Sequence, residues 1–266
     1  MHTTDWIDCH FHVFRRPSGV LPATRYTLDY GSSLHDWANA APSPGPRRGV
    51  LVQTSFLGTD NEELLDELRN HPQTLRGVAV VDPLTVGDRL ETLHRAGVRG
   101  IRLNLAGANE KDLDAARLPD RLADDLLSLG WNVELHTDRG VLPRVLAHID
   151  PRLMVVIDHF GRPATAQPDD ASFRAVAERV GSGGGAVYMK LSGAYRLGGL
   201  DPRKLTFLWR RVLGIEHLLW GSDWPCTNHE DQADYPGLLA ALNDWIENPA
   251  ERRQVLLDNP LRLYWR

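Results

Sequence analysis

The sequence predicts one α/β domain over residues 1–266, a distorted (β/α)8 barrel with a long loop after its first strand. Three observations predict it. Eight short runs rich in Val, Ile and Leu alternate with amphipathic stretches of helical period, the sequence form of a βα repeat. The 266 residues fit the roughly 250 that eight such units occupy. Titratable side chains gather at the C-terminal ends of the runs, the rim where such barrels build their sites.

In order, the runs are WIDCHFHVF (6–14), GVLVQTSF (49–56), LRGVAVVD (75–82), VRGIRLNL (98–105), NVELHT (132–137), LMVVIDHF (153–160), AVYMKLSG (186–193) and HLLWGSD (217–223). Helical segments lie between them: DNEELLDELRNH, TVGDRLETLHRAG, PDRLADDLLSLG, SFRAVAERVG, RKLTFLWRRVLG and YPGLLAALNDWIEN. Several open on Asp, Thr or Pro and close on Gly, as helix caps require. Residues 15–47, with Pro17, Pro22, Pro42, Pro44 and Pro46, form the longest irregular connection, placed where a barrel carries a lid. Within it LHDWANA reads as one short helix.

A doubly wound open sheet is the competing fold. It needs a glycine-rich turn directly after the first strand, and none is there. GSGGGA at Gly181 to Ala186 follows a helix and precedes a strand, the wrong polarity for phosphate binding, and reads as a flexible loop.

Composition excludes more than it selects. With a net charge of -5 and no long basic run, the chain has no electrostatic footprint for nucleic acid or anionic lipid. No stretch approaches the roughly 18 apolar residues of a membrane span, and no basic-then-apolar leader opens the sequence. Two cysteines, Cys9 and Cys226, make no disulfide framework and suit a reducing compartment. The expectation is a cytoplasmic protein acting on a small molecule, with self-association left open.

In IDCHFHVF, residues i and i+2 of a strand share a face, so His10 and His12 project together, with Cys9, Phe11 and Val13 opposite. Alone, such a pair is more readily a hydrogen-bonded core element than a metal site. Strand five ends in His136, strand six in Asp158 and His159, and strand eight in Asp223. Three imidazoles and one carboxylate, from His10, His12, His136 and Asp223, suit Zn²⁺ or a similar divalent ion with room for water. The remaining histidines, at 2, 35, 71, 94, 148, 217 and 229, fall in loops, helices or strand starts. Strand four offers Arg102 and Asn104 rather than a bridging carboxylate or lysine, so a single metal is expected.

DCHFHVF, VQTSFLGTDN, GIRLN, DHFGRP, KLSGAYR and WGSDWP together resemble the strand signatures, in order, of the amidohydrolase superfamily, branch amidohydrolase 2. Within it the chain is most similar to lactonases of the pyrone-dicarboxylate type and relatives acting on sugar-acid and muconate-type lactones. The resemblance implies Asp223 as general base and His159 as the group polarising the lactone carbonyl. It implies Arg162, Arg196, Arg102 and Ser55 as holders of the substrate's carboxylates, with Tyr195 nearby. Elementary chemistry agrees, since lactone opening needs an activated water, an electrophile for the oxyanion and a binding clamp, and guanidinium matches carboxylate bidentately. Three positions depart from the pyrone lactonases. His136 stands for a tyrosine of those metal-free enzymes, Ala108 for an arginine, and Cys226 for a histidine often seen there. The metal-free alternative therefore stays open beside the single zinc.

The leading expectation is a hydrolase that opens a small anionic lactone. A zinc-dependent non-oxidative decarboxylase, a lactone isomerase and a non-catalytic organic-acid binder are the competing readings.

Overall fold

The computed structural model describes residues 5–15, 28–85, 87–108 and 112–266. Eight parallel strands form one sheet in sequence order: β1 Ile7–Phe11, β2 Arg48–Val52, β3 Leu75–Ala79, β4 Val98–Asn104, β5 Asn132–His136, β6 Met154–Ile157, β7 Val187–Leu191 and β8 Leu218–Trp220. The ring closes just past β8, where Asp223 N–H donates to His10 O and His12 N–H to Trp224 O, both at 2.8 Å. A Cβ on Gly221 would stand 2.5 Å from His10 Cβ, so only glycine lets β8 approach β1 this closely.

Among the described residues, ten α-helices accompany the strands: α1 Leu34–Ala40, α2 Glu62–Asn70, α3 Gly87–Ala96, α4 Asp120–Leu129, α5 Leu142–Leu146, α6 Ala171–Gly181, α7 Pro202–Leu213, α8 Tyr235–Trp245, α9 Pro249–Arg253 and α10 Asn259–Tyr264. The expected caps are in place on α6 and α7, where Asp170 and Asp201 accept from the backbone two residues on. The short α5 has too few turns to show helical periodicity, and over 249–264 the π-helical turn Gln254–Asp258 interrupts the α-helical period.

Each expected strand is present, and most end a few residues before the apolar run does. The polar residues leave the ladder and enter tight turns at Ser55–Leu57, His159–Gly161 and Ala194–Leu197. The barrel is distorted by register shifts between Asp8 and Phe11 on β1 and between Gly77 and Val78 on β3. The first shift corrects the simple alternation. Cys9 packs with Ile7, Val50 and Val52, whereas Phe11 stacks on Trp37 at 4.2 Å, so these two do not share a face.

LHDWANA is a helix, α1, opened by a Ser33–Asp36 capping box. It lies against the outer face of β1 and β2, its Trp37 packed on Phe11 and over Gly49, rather than across the mouth. Pro17 and Pro22 lie outside the described residues. Asp8, fully buried, ties this side together: its carboxylate accepts from Ser222 N (2.9 Å), Ser222 Oγ (2.6 Å), Trp37 Nε1 (3.0 Å) and Tyr235 OH (2.5 Å).

Candidate active site

The strand ends bring the expected residues to one rim. His10 Nε2 and His12 Nε2 each lie 3.5 Å from Asp223 Oδ1, and His159 Nε2 lies 3.9 Å from Oδ2. The His136 ring stands 4.7 Å from that of His159, across β5 and β6. A cavity of 260 Å³ opens over them, lined also by Thr54, Ser55, Arg102, Asn104, Arg162 and Arg196.

Asp223 and His159 are both held in left-handed backbone conformations, φ 59° and 53°. Side chains with a Cβ rarely adopt this region, and such strain persists where the surroundings over-determine it. At His159 they do: Phe160, at φ 57°, is buried, packs edge-on to Trp245 and accepts from Trp209 Nε1 at 2.9 Å.

Burial works against a charge on Asp223, but Arg196, then His159 and His12, outweigh it and hold the carboxyl well below the usual range. Arg196 Nε lies 2.8 Å from Oδ2, and Tyr195 OH donates to the same oxygen at 2.6 Å. The expected pair Tyr195 and Arg196 thus grips the carboxylate, and Arg196 also lines the cavity. Burial lowers His159 to about 4, against the upward pull of Asp223 and Asp158. The imidazole is therefore neutral near pH 7. Ser192 Oγ accepts the His159 backbone N–H at 3.3 Å and lies 3.0 Å from Nδ1. Donation of the Ser192 hydroxyl proton to Nδ1 leaves an Nε2–H toward the cavity.

Arg102 is buried, donates to Gln53 O at 3.1 Å and stands 3.6 Å from Asp158 Oδ2. Arg162, at φ 42°, donates to Thr137 O at 3.2 Å and reaches Asp138 at 3.4 Å. Each keeps a buried Nε without a hydrogen-bond partner. Ser55 opens the turn after β2 and lines the same cavity.

The donor atoms fit a divalent ion. His12 Nδ1 must donate to Val52 O, 2.7 Å away, which leaves Nε2 a lone pair. That lone pair, Asp223 Oδ1 and the partnerless Nε2 of His10 converge within 4.8 Å of one another. Two acceptors facing across 3.5 Å repel unless a cation or proton lies between them. A second compact set joins His10, Asp158 and His159. His136 belongs to neither set, although both its ring nitrogens are buried without partners.

The family model for amidohydrolases matches residues 7–266. The chain belongs to the amidohydrolase family. This amidohydrolase is 32% identical over 279 residues to the 2-pyrone-4,6-dicarboxylate hydrolase of Comamonas testosteroni, covering 97% of the chain and 90% of that protein. It is 27% identical over 269 residues to the 4-sulfomuconolactone hydrolase of Hydrogenophaga intermedia, covering 97% and 88%. A crystal structure from Acinetobacter baumannii, described as a probable 2-pyrone-4,6-dicarboxylic acid hydrolase with citric acid bound, superposes with a TM-score of 0.84 at 31% identity, covering 98% and 99%. Family and relatives make the chain a hydrolase, as its motifs imply. Among the described residues, no helix is long and apolar enough to cross a membrane.

Beneath the rim, the amidohydrolase barrel holds charges that were not singled out from the sequence. Lys190 Nζ lies 2.5 Å from Glu134 Oε2, 3.1 Å from His10 Nδ1 and 3.5 Å from Asp158 Oδ1, all fully buried. Burial raises Glu134 to about 8, reinforced by Asp158 and opposed by Lys190. His10 Nδ1 also stands 3.2 Å from Asp158 Oδ1, so an ammonium and a carboxylate compete to set its tautomer. The signal was present: Glu134 and Lys190 interrupt apolar runs two residues before His136 and Ser192, on the same strand face.

Proposed function

We propose that this amidohydrolase opens a carboxylate-bearing lactone by water attack on its carbonyl carbon. Asp223 takes the proton of the attacking water. His159 Nε2–H donates to the carbonyl oxygen as it gains charge, and the proton held by Asp223 passes to the ring oxygen as its bond to carbon breaks. The observation that carries this reading is a buried, ionised carboxylate on the cavity floor beside a neutral imidazole. Both relatives named above act on anionic lactones by their names.

Arg102 and Arg162 would hold a substrate carboxylate, because both line the cavity and both retain a buried Nε with no partner. Ser55 adds a hydroxyl to the same wall. A divalent ion, zinc by preference, would be held by His10, His12 and Asp223 and would supply positive charge beside the reacting carbonyl. The free, buried Cys9 and Cys226 support a cytoplasmic location, where thiols stay reduced.

The test is a lactone panel of pyrone, muconolactone and sugar-acid types, followed by proton release in weak buffer with and without a chelator. Opening of at least one lactone, lost in Asp223→Asn, is expected. Carbon dioxide release from the corresponding acids would favour a decarboxylase, and no turnover of any lactone by the metal-replete protein would sink the proposal.

A further inference from the structure

The opposite mouth of the barrel carries a second concentration of charge. On β2 and β3, Val50 pairs with Arg76, and Arg48 lies two residues before Val50, so both arginines share the face of Val50 and Val78. Those valines pack with Ile7, Leu257, Leu263 and Tyr264, the cluster that fills the barrel axis and plugs its N-terminal end. Trp265 follows the plug. The guanidinium carbons of Arg48 and Arg76 lie 5.8 and 5.2 Å from its ring centroid.

Arg99 joins them through the second register shift, since Gly77 pairs with Val98 and Val78 with Gly100, leaving Arg99 as the extra residue of the bulge. Arg266 completes the group, anchored on Gly130 O. Backbone carbonyls also anchor Arg76, through Pro72 O and Leu75 O at 2.7 Å, and Arg99, through His94 O at 3.0 Å and Val98 O at 2.7 Å. No carboxylate among the described residues pairs with Arg48, Arg76, Arg99 or Arg266, although the neighbouring Arg47 reaches Asp5 at 3.9 Å. The buried Arg76 Nε and Trp265 Nε1 have no hydrogen-bond partner. Burial and mutual repulsion depress the basicity of Arg76 and Arg99, as expected of like charges without a counter-ion.

Four unpaired guanidiniums in a chain of net charge -5 need an anion rather than each other. We propose that this mouth is a binding site for a small multivalent oxyanion, phosphate or polycarboxylate, with Arg48, Arg76 and Arg99 as donors and Trp265 as floor. The site is independent of the lactonase reading, because it lies at the other end of the strands from Asp223. Carbonyl anchoring fixes Arg76 and Arg99 in advance, and Arg48 is held over the Trp265 ring, which distinguishes a binding site from a mobile basic surface.

The test titrates inorganic phosphate and, separately, citrate into the full-length protein at constant ionic strength, with chloride as reference, following heat by calorimetry and tryptophan emission. Saturable binding outside the active site is expected, with the emission change absent in Trp265→Phe. Arg76→Gln and Arg99→Gln should weaken it about tenfold or more each and leave turnover unchanged. Because Arg76→Gln could perturb the plug, Arg48→Gln is measured beside it, each variant first shown to be folded by circular dichroism. Preference for phosphate over citrate, or the reverse, names the source of the oxyanion. Equal response to chloride, or undiminished binding in folded Arg48→Gln and Arg99→Gln, would overturn the proposal.

Discussion

Arg196 Nε lies 2.8 Å from Asp223 Oδ2, while His10 and His12 address the other oxygen of the same carboxylate. An arginine expected from the motif to grip substrate therefore grips the proposed base, Asp223. The two roles separate kinetically. Loss of a substrate clamp raises KM, whereas loss of a group that holds the base falls on kcat. Arg196→Met is expected to lower kcat by roughly 10²-fold with KM nearly unchanged, and Arg196→Lys to recover only part of it, because an ammonium cannot reproduce the Nε contact and the 3.1 Å bond to Thr227 O together. Steady-state kinetics on the best lactone of the panel decides between them.

His12 and His136 give a second contrast. Only His12 has a lone pair directed into the compact donor set, its Nδ1 being committed to Val52 O. Elemental analysis of the purified protein should find about one divalent ion per chain. His12→Ala should lose most of it, and His136→Ala should retain it while changing KM, since His136 lines the cavity outside that set. Equal metal loss in both variants would restore the four-ligand set drawn from the sequence.

Eight strands, their order and the rim bearing His10, His12, His159 and Asp223 were legible because period-2 burial and helical period are written along the chain. What the sequence could not show was how the chain bends at the strand ends. Nothing in DHFGRP announces three non-glycine residues at positive φ, His159, Phe160 and Arg162, because the strain is imposed by packing from Trp209 and Trp245, far away in sequence. The pairing of Arg196 with Asp223 is likewise a tertiary fact, joining loops after β7 and β8. The strand-end position of His136 is visible in the sequence, whereas the side-chain direction that leaves it outside the two compact donor sets is not.

Asp8, overlooked beside the two histidines, should matter more for stability than for chemistry. Its carboxylate takes hydrogen bonds from α1, the turn after β8 and α8, all buried. Asp8→Ala leaves several buried donors unsatisfied, and each such group costs about 1–3 kcal/mol. A loss on the order of 3 kcal/mol is expected in urea unfolding at pH 7, with Asp8→Asn less harmful because its amide oxygen still accepts. A change under 1 kcal/mol in Asp8→Ala would show that these contacts are replaced by water.

Asp170 should make stability fall at acid pH. Its carboxylate accepts from Ser172 N at 2.9 Å, Thr165 N at 2.8 Å and Thr165 Oγ at 3.1 Å. Burial opposes its charge, yet the backbone bonds from Ser172 and Thr165 prevail and lower its pKa. A carboxyl lowered on folding contributes stability above the unfolded value of about 3.9 and loses that contribution as pH falls through the folded value. Asp170→Ala should cost about 1 kcal/mol at pH 7, the worth of an N-cap, and the difference from wild type should shrink below pH 4. Asp170→Asn keeps an acceptor for the cap and removes the charge, so its stability should vary less between pH 5 and pH 3 than that of the wild type. Urea midpoints measured across that range provide the check, and parallel curves for all three proteins would show that Asp170 does not titrate differently on folding.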